Sequence, residues 1–229
     1  MRLAPLVVAL SSLASLVSLS VPARADDARP LPVDDADVQD RSAAIERSLA
    51  AGAPYARRWY WGWSGAFVAA SALSFASLSV VDEPGLRADA VVGGTLAGLG
   101  AISTIALPLT ASRGAGALTA MPDDTPEQRA ARLRAAEATL RRAAREERFL
   151  SGWAAHAGVL AANAAAAAVS RLAYDRPWNM IALARGTGVV VGERKVLSTP
   201  VAAIDAEATL LTDVTVAPTV GGLVVAGRF

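Results

Sequence analysis

The sequence predicts a mainly α-helical membrane protein. We expect a small bundle of three to four transmembrane helices, an amphipathic helix outside the membrane and a short C-terminal tail resembling a β-hairpin. The 229-residue chain is 53% hydrophobic and only 19% charged, whereas soluble domains are about 45–50% apolar and about 25% charged. The apolar residues collect in long uncharged blocks separated by short charged segments, which is the pattern of membrane-spanning helices.

The N-terminus has the pattern of a secretory signal peptide at 1–25. Arg2 gives a positive start, an apolar run follows over 3–21, and Pro22 interrupts the run before the triplet Ala-Arg-Ala at 23–25. This triplet is an A-x-A cleavage site. An uncleaved signal anchor is the alternative, because the apolar run is slightly long. In both cases we expect export to the bacterial cell envelope, most simply into the inner membrane.

Residues 26–58 are expected to form an extramembrane lead with one short helix. Its apolar stripe recurs at spacings of four, three and four residues, which indicates a single helix face. The positions of the stripe are Val38, Ser42, Ile45 and Leu49. Gly52 and Pro54 are expected to end this helix.

The membrane domain is expected to extend over 59–192 and to contain four apolar blocks. The candidate spans are 59–81, 90–112, 149–170 and about 178–191. The first two are 23 residues long and uncharged, which is sufficient to cross a bilayer. The third is dominated by alanine and needs neighbouring helices to insert. Pro108 is expected to kink the end of the second span.

Aromatic residues and glycines suggest how these spans are anchored and packed. We interpret the aromatic residues near the span starts as interfacial anchors, with an aromatic substrate cage as the alternative. These residues are Trp59, Tyr60, Trp61, Trp63, Trp153 and Trp178. Gly94 and Gly98 form a GxxxG pair, which favours close helix packing in lipid. A phosphate-binding loop is excluded there, because no Lys-Ser or Lys-Thr pair follows.

A charged helix is predicted over 125–148. Thr125, Pro126 and Gln128 form a capping box with proline at the first helical position. Seven arginines follow, interleaved with glutamates, which favours a salt-bridged exposed face over binding of nucleic acid or anionic lipid. Its narrow apolar stripe fits either a solvated helix or a weak coiled-coil seam. Since no helix breaker separates this helix from Phe149, where the third span begins, the helix is expected to continue without interruption into that span.

Three polar residues inside the spans are candidates for function: His156, Asn163 and Arg185. Ionisable groups inside a membrane often mark ion or substrate paths. The alternative for His156 is a hydrogen bond that holds two helices together. No carboxylate lies on the same span, so neither a metal site nor a proton relay is expected. Arg185 either finds an acidic partner near a span end or extends its charge to the membrane surface.

Composition and motifs exclude several classes of function. The chain has no cysteine, so disulfides, thiolate metal sites and cysteine nucleophiles are ruled out. No motif for catalysis, a metal or a cofactor occurs. The net charge of +1 gives no bias toward nucleic acid. We therefore expect a structural or partner-binding protein without catalysis, in contact with the lipid bilayer and with another envelope protein or a second copy. The alternative is a small transport or channel-like component with a polar path around the three candidate residues.

Membrane orientation is left open by two conflicting signals. A cleaved signal peptide places 26–58, 113–148 and the tail outside the cytoplasm, with 82–89 and 171–177 inside. Thirteen Lys and Arg residues then lie in the first two outer segments and three in the inner ones, which opposes the positive-inside rule. The tail at 193–229 contains two short apolar runs around Pro218 and is expected to form short strands.

Overall fold

The computed structural model describes residues 34–211 with their side chains, and the backbone of 215–219 and 222–226. The predicted signal peptide lies outside the described residues. The described chain is mainly helical, as the sequence predicts. The helices are α1 (Asp35–Ala76), α2 (Pro84–Ala106), α3 (Gly114–Thr119), α4 (Pro126–Ser151), α5 (Trp153–Tyr174), α6 (Trp178–Leu197) and α7 (Ala202–Leu210). Single 3-10 turns lie at Ser77–Ser79 and Thr110–Ser112.

The predicted tail 193–229 is helical in its first part, which contains the end of α6 and all of α7, so the prediction of short strands is wrong there. Two short strands lie further on, β1 (Thr215–Thr219) and β2 (Gly222–Ala226). They pair in antiparallel fashion, with Thr215 opposite Ala226.

Helix α1 is a single helix of 42 residues, so the prediction that it ends at Gly52 and Pro54 is wrong. A proline inside a helix removes one backbone hydrogen bond and costs about 3 kcal/mol. Here Ala53 and Ala56 are buried on either side of Pro54, and this packing offsets the cost. Gly52 permits close approach instead, because a Cβ atom there would lie 3.1 Å from that of Ala202. The predicted stripe from Val38 to Leu49 is buried.

Helix α2 starts and ends earlier than the predicted span 90–112. The Glu83 carboxylate accepts hydrogen bonds from the backbone N–H groups of Gly85 and Leu86, and Pro84 occupies the first turn. The helix stops at Ala106 because the residue before a proline avoids the helical conformation. Pro108 therefore lies beyond the helix and does not kink it.

The charged helix begins as predicted but does not continue into the third span. Thr125 and Gln128 form both hydrogen bonds of the capping box. Gly152 separates α4 from α5 in an extended conformation, and a Cβ atom there would lie 2.6 Å from the carbonyl oxygen of Arg148. Gly152 therefore ends α4, although the apolar pattern continues on both sides of it.

The chain divides into two halves with opposite burial patterns. We call residues 34–58, 108–151 and 198–211 the charged half, and residues 59–107 and 152–197 the apolar half. The charged half buries apolar side chains and exposes charged ones. Its core consists of Ile45, Leu49, Ala56, Leu109, Ala111, Leu118, Ala136, Leu140, Ala143, Ala144 and Ala203, with Trp59 and Tyr60 at the junction between the halves.

The apolar half buries some apolar side chains, Val92, Ile181 and Val196 among them, but it exposes many more large ones and also buries polar groups. Among its exposed large side chains are Val68, Leu73, Phe75, Val80, Leu86, Ile102, Leu160, Leu172, Leu183 and Val190. Its buried polar side chains are Ser64, Thr104, Asn163, Ser170, Arg176 and Arg185. By length and composition, α2 and α5 could each cross a membrane, and only 28% and 17% of their most apolar windows are buried.

Contacts between helices define the direction of each one in the apolar half. The Tyr60 hydroxyl donates to the Ile105 carbonyl and the Ser71 hydroxyl donates to the Gly94 carbonyl, so α1 and α2 are antiparallel. Helices α5 and α6 are also antiparallel, because His156 near the start of α5 contacts Glu193 near the end of α6, while Asn163 further along α5 faces Gly188. Since the Trp59 indole N–H donates to Ser198 Oγ, α6 ends where the apolar part of α1 begins. The loops 77–83 and 175–177 therefore lie at the end remote from the charged half.

Candidate functional site: polar groups between the apolar helices

His156 on α5 contacts a carboxylate that sequence reasoning missed. Its Nδ1 lies 2.5 Å from Oε2 of Glu193 on α6. Our prediction considered only carboxylates on the histidine's own span, whereas Glu193 lies on the neighbouring helix. Glu193 lies two residues beyond the predicted fourth span, which ends at 191, whereas α6 continues to Leu197. Each side chain is about one-third exposed, and the other Glu193 oxygen is buried without a partner.

Asn163 lies two turns further along the same face of α5. Its Nδ2 donates to the Val159 carbonyl at 2.9 Å, and its Oδ1 is buried without a protein partner. Opposite it, α6 presents Gly188 and Gly192. A Cβ atom at Gly188 would lie 2.3 Å from Asn163 Oδ1, and one at Gly192 would lie 2.6 Å from Val159. The GxxxG spacing of these two glycines was a signal in the sequence that our prediction did not use.

Arg185 is buried, and its side chain is directed toward α2 and away from His156 and Asn163. Its guanidinium lies 3.9 Å from the position that a Cβ atom would take at Gly93, and the charge of Asp89 attracts it. Arg176, also buried, donates to Asp89 at 2.5 Å. Asp89 is an acidic residue near a span end, of the kind expected as a partner for Arg185, and it binds Arg176 directly. The structure thus separates Arg185 from His156 and Asn163 and groups it with Asp89 and Arg176.

The predicted interfacial aromatic residues form two groups. Trp59 and Tyr60 are buried and Trp63 is half-buried, so these three are packing residues rather than anchors at a membrane surface. The indole N–H groups of Trp59 and Trp63 both donate to Ser198 Oγ. The exposed residues are Trp61, Trp153 and Trp178.

The aromatic cluster also holds the one lysine of the chain. Lys195 Nζ donates to Thr104 Oγ1 at 2.8 Å and lies 5.2–5.7 Å from the ring centres of Phe67 and Trp59. These contacts tie α6 to both α1 and α2. The ammonium is therefore held by aromatic faces and one hydroxyl, and the rings form no open cage.

Gly94 and Gly98 lie against α1. A Cβ atom at Gly94 would lie 3.0 Å from that of Ser74, and one at Gly98 would lie 3.2 Å from Ser71 Oγ. Any larger side chain would push α1 and α2 apart.

Ion pairs fasten α4 to the N-terminal part of α1. Arg129 forms two hydrogen bonds with Asp35, and Arg132 forms two with Glu46 at 2.7 Å each. The hydrogen bond from Arg129 lowers the pKa of Asp35. The salt-bridged face predicted for α4 is therefore directed partly at α1, with two further pairs along the helix itself, Glu137–Arg141 and Arg142–Glu146.

Glu147 is the buried carboxylate of the charged half. Its Oε2 accepts hydrogen bonds from the backbone N–H groups of Ala203 and Ile204 at the start of α7. Burial raises the pKa of Glu147, while these two hydrogen bonds lower it less strongly. A cavity of about 10 Å³ borders the carboxyl group, so this end of α7 is closely packed.

Within residues 34–211, no group of three or more His, Asp or Glu side chains is placed to hold a metal ion. Comparison of the chain with protein-family models, with curated proteins and with solved structures finds no match. The features that bear on function are the two halves and the polar groups between the apolar helices.

Proposed function

We propose that this chain is an integral membrane protein of the bacterial cell envelope, with a structural or partner-binding role and no catalysis. The observation that supports the proposal is the difference in burial between the two halves. Water favours a structure that buries apolar side chains, as the charged half does. The apolar half exposes leucine, isoleucine and phenylalanine while burying serine, asparagine and arginine, which fits hydrocarbon as its surroundings.

The proposal includes four passes across the membrane. Helices α2 and α5 have the length and composition of transmembrane helices. The apolar part of α1 and all of α6 lie beside them and expose Leu73, Phe75 and Leu183. Four antiparallel passes place both ends of the described chain on one side, together with the charged half. The loops 77–83 and 175–177 then lie on the other side.

Cysteine labelling tests this arrangement, since the chain has no cysteine of its own. Single substitutions Asp82→Cys, Asp175→Cys and Arg134→Cys are introduced and exposed to a membrane-impermeant maleimide in intact cells. We expect the first two to label alike and the third to behave oppositely. Equal labelling of all three, or release of the protein by alkaline carbonate, would contradict four passes. The side on which Arg134→Cys reacts also decides the orientation.

The partner-binding role rests on the charged half, which has its own core and exposes one face of α4. Arg134, Ala138 and Arg145 are exposed on this face. A photo-reactive amino acid at Ala138 is expected to form a specific adduct with an envelope protein or with a second copy of the chain. A matched position on the lipid-facing surface, Leu172, is expected to yield no such adduct. If no protein adduct forms along α4, the partner-binding role is refuted.

Transport is the second candidate, favoured by buried polar atoms that lack protein partners in the described part of the apolar half. Examples are Glu193 Oε1, Asn163 Oδ1 and Arg185 Nε. Buried polar atoms are usually satisfied by water when protein offers no partner. Flux measurements on reconstituted vesicles test this function, comparing the native chain with His156→Ala. A flux equal to that of empty vesicles would end the transport hypothesis.

A further inference from the structure

Six arginines lie in segments next to the junction between the charged half and the apolar half. The junction is marked by the hydrogen bonds from Trp59 to Ser198 and from Thr199 to the Leu150 carbonyl. The arginines come from α1, the segment before α3, α4 and the end of α6. They are Arg57, Arg58, Arg113, Arg145, Arg148 and Arg194, all exposed. We call this group the basic collar.

The acidic side chains near the collar are mostly directed inward. Four glutamates there are buried or largely buried, and each contacts a group of the protein. Glu146 accepts from Thr110, Glu147 from Ala203, Glu193 contacts His156, and Glu207 pairs with Arg148. Asp205 on α7 is exposed. Arg148 is paired with Glu207, so the other exposed charges at the junction, among the described residues, are five guanidinium groups and the Asp205 carboxylate. The exposed surface of the junction is therefore basic, although the net charge of the chain is only +1.

Exposed aromatic rings lie beside the collar. Trp61 follows Arg58 by one turn of α1, and Phe149 and Trp153 follow Arg148. They are 64%, 59% and 82% exposed. Rings of this kind favour the headgroup region of a bilayer, so the collar lies at the depth of lipid phosphates if the apolar half is inserted.

We propose that the basic collar binds the phosphate groups of anionic phospholipids. This inference rests on the proposed membrane insertion. Guanidinium groups match phosphate oxygens with two parallel hydrogen bonds, and the charge is complementary to an anionic headgroup. An arginine near an anionic membrane surface strengthens binding about fivefold.

The test measures binding of dioleoyl phosphatidylglycerol and dioleoyl phosphatidylcholine to the purified chain in neutral detergent, by native mass spectrometry. The variant pair is Arg57→Gln with Arg58→Gln. The matched control is Arg47→Gln with Arg134→Gln, which removes the same charge from exposed sites of the charged half away from the junction.

We expect the native chain to prefer the anionic lipid, and the collar variant to bind it at least about fivefold more weakly. The control variant should change by less than about twofold. A chain that resists alkaline extraction but binds both lipids equally would overturn the collar and leave the proposed function intact. An equal loss in the control variant would likewise overturn it, because the effect would then follow net charge alone. Release by alkaline extraction would overturn both proposals.

Discussion

Replacing Glu147 by Gln is expected to stabilise the charged half near neutral pH. The native carboxyl group is completely buried, and one of its oxygens has no protein partner. The other accepts hydrogen bonds from Ala203 N at 2.8 Å and Ile204 N at 3.2 Å. Glutamine retains an acceptor oxygen for these two amides and removes the buried charge.

The pH dependence of stability follows from the raised pKa of Glu147. Burial raises the pKa of Glu147 above its ordinary value of 4.5, so the folded state holds this proton more tightly than the unfolded state does. The resulting stabilisation is complete below about pH 4.5 and is lost as the pH rises through the folded-state pKa. Each unit of elevation corresponds to about 1.4 kcal/mol. The Gln variant should show no such loss.

The measurement is the free energy of unfolding in detergent micelles between pH 4 and 8, followed by urea-dependent loss of helical circular dichroism. Glu147→Leu serves as a contrast, because it leaves two amides without an acceptor and costs about 1–3 kcal/mol for each. If the native chain and the Gln variant lose stability in parallel over this range, a buried charge at Glu147 is not the cause.

Three further substitutions test the packing. Gly192→Val is expected to lower the free energy of unfolding by about 1–3 kcal/mol through its clash with α5. Gly186→Ala is the control and should be neutral or stabilising, because its Cβ would meet nothing within 4 Å. Equal losses of stability in thermal unfolding would contradict the close approach of α5 and α6. Pro54→Ala restores a backbone hydrogen bond of α1 and should raise stability by up to about 3 kcal/mol; a lower melting temperature would show that the proline is required. Arg132→Leu removes the guanidinium partner of the largely buried Glu46 and should lower the free energy of unfolding by about 1–3 kcal/mol. Arg134→Leu, on the exposed face of α4, is the control and should change it by less than about 0.5 kcal/mol.

Periodic patterns and local capping were predictable from the sequence. The stripe from Val38 to Leu49 and the capping box at Thr125 each depend on residues within one or two turns of each other. The stripe is buried, and both hydrogen bonds of the capping box form. The contact at Gly94 joins two helices, so the local sequence indicates only that close packing is possible there.

Helix continuity was not predictable in the same way, because tertiary packing overrides local signals. Pro54 is a strong breaker, yet packing of the alanines around it extends α1 through it. The local sequence does not show where packing on a distant segment stabilises a helix in this way. Gly152 ends α4 for a local reason, because a Cβ atom there would meet the carbonyl oxygen of Arg148, and our prediction did not use this glycine as a helix end.

The pairing of His156 with Glu193 was missed for a related reason. The two residues are 37 positions apart and meet only because α5 and α6 are antiparallel in a particular register. Gly188 and Gly192 fix that register through their contacts with Asn163 and Val159. A search for glycine pairs on both candidate spans would have indicated the facing helices, although not the exact contact.

The unbroken course of α1 has a mechanical consequence. Its 42 residues make a rod of about 63 Å that belongs to both halves, with Asp35 at one end and Ala76 at the other. A tilt of about 5° at the charged end would displace the opposite end by about 5 Å if the rod stays straight. Force applied by a bound protein near Asp35 would thus pass into the apolar half along one continuous helix, and Pro54 is the point at which this helix would bend.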